Sequence, residues 1–142
     1  MAMQAELVEM LRALLVGDFD AVDAHVDRIE GQAGIWEAGT GLLNAAFWLA
    51  ANRRFSADTS LQEISDYVAE VRRQYPDTET MVAEALIRVA RGEEHLLDGL
   101  KPESALPVEM VLIHKMISDE GFNDGQREAF VSESVRLAES SV

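Results

Sequence analysis

Cysteine is absent from this 142-residue chain, and with it go disulfides, zinc–thiolate sites, iron–sulfur clusters and thiol nucleophiles. Basic residues are scarce: 12 Lys and Arg face 26 Asp and Glu, a formal charge of −14. So acidic a chain repels a phosphate backbone, and no nucleic-acid partner is expected. No run approaches the ~18 consecutive apolar residues of a membrane-spanning helix. The first residues carry Glu6 and Glu9 in place of the positive region of a signal peptide, and no lipidation signature occurs. These absences set the expectation of a cytoplasmic protein without a membrane partner.

Strand patterning is missing too. The Asp124-Gly125 pair has no alternating apolar segment on either side, so it does not mark a hairpin. What remains is helical periodicity. Leu7, Met10, Leu11, Leu14 and Leu15 recur at i, i+3, i+4 spacing, Gly17 stops that helix and Asp18 caps the next. Phe19, Val22, Val26 and Ile29 form its stripe, so the chain begins with an antiparallel hairpin from about Gln4 to Glu30. The turn from Leu15 to Ala21 resembles that of tetratricopeptide-type hairpins, but no second copy follows about 34 residues on, and no solenoid is implied.

A third helix from about Ile35 to Arg54 is apolar on most sides, with Gly39 and Gly41 either permitting close approach or splitting it. Ser60 with Glu63 fits a capping box for a fourth, which Pro76 ends. Asp77 or Thr78 starts a fifth, stopped by Gly92. A short helix or turn covers Glu93 to Leu100, and Lys101-Pro102 breaks the chain. Leu106 to Ser118 is apolar nearly all round, and a last helix follows a cap at Asp124. At 48% hydrophobic residues a core is within reach, and the expected architecture is an all-α, single-domain bundle of about six or seven helices over 1–142.

Motifs that carry chemistry are wanting. The residues three before His25, His95 and His114 are Val22, Gly92 and Val111, so the Glu-x-x-His of helical di-metal sites is absent, as is His-Glu-x-x-His. No nucleotide-binding glycine fingerprint and no nucleophile elbow occur. No cofactor or metal is therefore expected, and catalysis finds no support.

Charge placement is more informative. Residues 1–50 hold eight acids and two bases, residues 92–142 eleven and four, while 51–91 hold seven acids and six arginines. The arginines come as Arg53/Arg54, Arg72/Arg73 and Arg88/Arg91, each pair near a helix C-terminus, where cations complement the dipole. In an up-and-down arrangement the middle pair lies at the opposite end from the others. Trp36, Phe47, Trp48 and Phe55 fall within twenty residues, and two tryptophans do not easily share one small core. Trp48 with Arg53, Arg54 and Phe55 is the expected interface, because Trp and Arg dominate binding hot spots. The leading expectation is a non-catalytic interaction or regulatory module that binds another protein or itself, a homodimer included. Two alternatives stand beside it. One is an acidic, immunity-like inhibitor that masks a basic site; the other is a helical small-ligand binder with a pocket near Trp36, Met110 and His114.

Overall fold

Leucines at 7, 11, 14 and 15 with Met10 make one wholly apolar face of α1 (Ala5–Val16), and that face needs a partner in water. The computed structural model describes residues 5–30, 32 and 35–140, without the side chains of Trp36 and Pro102. Gln4, the expected start of the first helix, lies outside them. Gly17 adopts φ +80° after α1, a conformation that glycine enters without a Cβ penalty. The Asp18 carboxylate then accepts from the Ala21 N–H at 3.1 Å and starts α2 (Phe19–Glu30), which packs on α1. The other helices are α3 (Ile35–Arg54), α4 (Leu61–Gln74), α5 (Thr80–Ala90), a 3-10 helix (Glu94–Gly99), α6 (Pro102–Glu120) and α7 (Asp124–Ser140). The described residues thus form an all-helical, bundle-like assembly of eight helices without a strand, one more than the upper expectation because Glu94–Gly99 closes into a helix of its own.

Two other expectations move. The helix placed from Leu106 begins at Pro102 instead: proline is tolerated at a first helical position, where its missing N–H has no partner in any case. Pro107 then sits inside α6. Helix α3 is unbroken through Gly39 and Gly41, and a Cβ at exposed Gly41 would meet nothing within 4 Å. Gly41 therefore allows no close approach among the described residues.

The chain divides into two compact units. In the first, formed by residues 1–46 and 117–142, α1 packs against both α2 and α7, and Leu7, Leu11, Leu14, Ile29, Leu42 and Leu43 are fully buried. Burying each aliphatic side chain of this size stabilises the fold by ~1.5–3 kcal/mol. Arg12 ties α1 to α7 through two bonds to Glu128, at 2.8 and 3.2 Å. The Glu6 carboxylate on α1 accepts from Arg28 of α2 and lies 3.2 Å from His25 Nδ1. That environment, the Arg28 hydrogen bond first, holds Glu6 below its ordinary pKa.

In the second unit, residues 47–116, α4 buries Ile64, Tyr67, Val68 and Val71, and α5 buries Ala83, Leu86 and Ile87. Ser60 accepts from the Glu63 N–H at 3.1 Å, as its capping-box spacing predicts. Arg88 grips Glu93 with bonds of 2.9 and 2.8 Å; the hydrogen bond raises the arginine's pKa and lowers the carboxylate's. This pair fastens the end of α5 to the start of the 3-10 helix.

Candidate functional site

The last two turns of α3 and the residue after them carry the expected interface residues, and the structure separates them. Trp48 is 51% exposed. Its neighbour Phe47 is buried at 6%, so the helix directs one aromatic ring inward and the next outward. Arg53 and Arg54 are exposed. Phe55, expected on the same surface, is instead buried at 4%. It lies one residue past the helix, where the chain turns, and its ring meets Tyr67 edge to face at 5.3 Å between centroids.

That buried aromatic pair carries a cation. The Arg54 guanidinium carbon sits 5.1 Å from the Phe55 centroid and 4.9 Å from the Tyr67 centroid, within the ~6 Å over which an aromatic face attracts a positive charge. On the loop that follows, Arg91 of the second unit donates to the carbonyls of Ser56 at 3.3 Å and Ala57 at 3.0 Å. The C-terminal end of α5 therefore comes back to the C-terminal end of α3. Arg72 and Arg73 end α4, which starts just after that loop, so the rise of the helix carries them ~17 Å away from it. The six arginines do not make one surface.

Of the residues expected around a pocket, Met110 and His114 lie one turn apart on α6. His114 is half-buried, with its ring edge-on to Tyr75 at 6.2 Å. Met110, one turn earlier on α6, is half-buried as well. The side chain of Trp36 lies outside the described residues. Among the described residues no three His, Asp or Glu side chains gather to hold a metal ion, and no helix is long and apolar enough to cross a membrane.

Two charged residues on α6 were not singled out by the periodicity. Glu109 is buried at 6% in the stripe that contains Leu112, Ile113 and Met116, and burial pushes its carboxyl up to about 8. Desolvation disfavours the charged form, which is the direction of the shift. Lys115 is buried at 3%; its ammonium lies 5.5 Å from the Tyr67 centroid and 3.8 Å from Glu70. Tyr67 thus has Arg54 and Lys115 over its ring and the ring of Phe55 perpendicular to it. A signal for Glu109 was present in its i, i+3, i+4, i+7 register with apolar residues. Lys115 had none, since its burial depends on a ring from another helix.

The chain matches no protein-family model, no curated protein and no solved structure. Its chemistry is read from these residues alone.

Proposed function

We propose that this protein is a non-catalytic interaction module that engages a protein partner, or a second copy of itself, through Trp48 and the arginine-bearing end of α3. The observation that carries the reading is the exposure of Trp48: half of a large indole faces solvent from the last two turns of a regular helix. Tryptophan is on average highly buried, and when it is not, its apolar area favours a binding surface. Exposed Arg53 and Arg54 on the next turn supply the polar component typical of such surfaces. Co-purification from native extract, paired with sedimentation of the isolated protein, tests it. Trp48→Ala should abolish a stoichiometric complex or a dimer while leaving the circular dichroism spectrum intact; a complex that persists refutes the reading.

A second reading has its own support. Asp20, Asp23, Asp27 and Glu30 line one exposed side of α2, and the first unit holds 14 acids against 4 bases. Such a surface suits an inhibitor that covers a basic site, and its association would slow steeply with added salt.

A further inference from the structure

In a chain with more than two acids for every base, a cation that is held by aromatic rings and meets neither a carboxylate nor a carbonyl among the described residues stands apart. Arg54 is that cation. It is exposed and sits over the buried rings of Phe55 and Tyr67, while its side-chain N–H groups meet no acceptor among the described residues. Arg12, Arg28, Arg88 and Arg127 each hold a carboxylate, and Arg91 holds two backbone carbonyls. Arg72 and Arg73 are exposed and rest on no ring among the described residues.

A position at the end of α3 accounts for a positive charge there, since any cation opposes the negative end of the helix dipole. It does not account for the immobilisation. A guanidinium held by aromatic faces has already lost much of its rotamer freedom, and its planar fork of donors matches a carboxylate in a bidentate pair. Binding such a group then orders little that was not already ordered. The surroundings add to the positive field: Arg53 adjoins it in sequence, and Arg91 reaches the two residues that follow Phe55. Asp58 and Glu63, the acids nearest in sequence, belong to the loop and to the first turn of α4.

From this geometry we infer that Arg54 is a preorganised anchor for an aspartate or glutamate carboxylate of the partner, on an acidic segment that also lays an apolar side chain against Trp48. The inference rests on the interaction-module reading and names that partner's chemistry. Trp48 precedes Arg54 by six residues in α3, ~9 Å along the helix axis and ~120° around it, so a short segment that crosses the helix obliquely can reach both. Charge complementarity selects an acidic segment over a second copy docking indiscriminately, because the net field of the chain repels acids everywhere except at such local cations.

Selection of a random displayed peptide library on the full chain tests this. Because the net charge of −14 acts against acidic peptides, their enrichment has to come from a local cation. The expected binders combine Asp or Glu with a large apolar residue, and R54K, which keeps the charge but loses the fork, weakens them on the order of tenfold. R72K and R73K leave them unchanged, and circular dichroism confirms that every variant folds. Binders that need Trp48 but are indifferent to R54K overturn the anchor and leave the module reading standing. Binders indifferent to both W48A and R54K overturn both. Failure to enrich acidic peptides over an unrelated control protein also overturns the anchor.

Discussion

Glu109 occupies a position that the pattern of α6 reserves for an apolar side chain, and the consequence is a pH dependence whose sign can be worked out. In the unfolded chain the carboxyl titrates near 4.5; in the fold, burial holds it at about 8. Between those values the folded state binds one more proton than the unfolded state, so stability falls as pH rises through the window. The contribution is fully present below about 4.5 and gone above about 8. At ~1.4 kcal/mol for each unit of displacement, the loss is several kcal/mol. Glu109→Gln keeps a neutral hydrogen-bonding amide and removes the ionisation. Urea midpoints measured from pH 5 to 9 should decline for the native protein and stay nearly level for the variant, which should be the more stable of the two at pH 8. Parallel curves for both proteins would refute the assignment. Glu6 and Glu93 act in the opposite direction, since their lowered pKa values lose stabilising ion pairs only as the solution becomes acidic. At this scale the sequence was legible where a residue's neighbours lie on its own helix. Trp48 faces outward and Phe47 inward, as residues 100° apart can. Phe55 was misplaced because 3.6-residue periodicity says nothing once the helix has ended, and Lys115 is buried by a ring that lies elsewhere in the sequence.

Helix boundaries follow local chemistry that short motifs partly reveal. The start of α7 was expected at a cap by Asp124, and the structure gives the role to Asn123. Its side chain accepts from the Gln126 N–H at 2.8 Å while Gln126 accepts from the Asn123 N–H at 2.9 Å. This is a reciprocal capping box with Asn and Gln in the usual Ser and Glu positions. Asp124 opens the helix and pairs with Arg127 instead. Asn123→Ala should therefore destabilise the protein by about 1 kcal/mol, seen as a lowered urea midpoint, whereas Asp124→Ala should cost distinctly less. The reverse order would return the cap to Asp124. The same reasoning explains which boundaries were readable. Gly17 and Gly92 end their helices at φ +80° and +115°, and Ser60 caps α4, each from a signal within four residues. The extension of α6 back to Pro102 was not readable, because proline stops a helix in the interior but starts one at its first position. Helix identity was legible except at Glu94–Gly99, where a short helix and a turn read alike; helix ends were legible only where a cap residue of ordinary type stood at them.

For the molecule as a whole the decisive quantity is the sign and placement of charge. The first unit carries 14 acids and 4 bases, the second 12 and 8, so the arginines of the sequence's middle segment moderate an excess that is otherwise borne largely by the first unit. Two copies of a chain with charge −14 repel one another at low ionic strength, where the Debye length is ~30 Å at 0.01 M, and much less at ~8 Å in physiological salt. A basic partner captured by the acidic face of α2 responds in the opposite way, because salt removes the attraction that steers it. An apolar contact centred on Trp48, with one desolvated Arg54–carboxylate pair, stands between these limits. Its apolar term is insensitive to salt and its buried pair is screened less than an exposed one. Sedimentation velocity and binding kinetics at low and physiological salt therefore separate the readings. Self-association should strengthen with salt, and capture by the acidic stripe should slow steeply. Binding through Trp48 and Arg54 should keep its dissociation rate, with W48A raising that rate at both salt concentrations. A complex that forms more slowly with salt and ignores W48A would move the function of this protein from the end of α3 to the acidic face of α2.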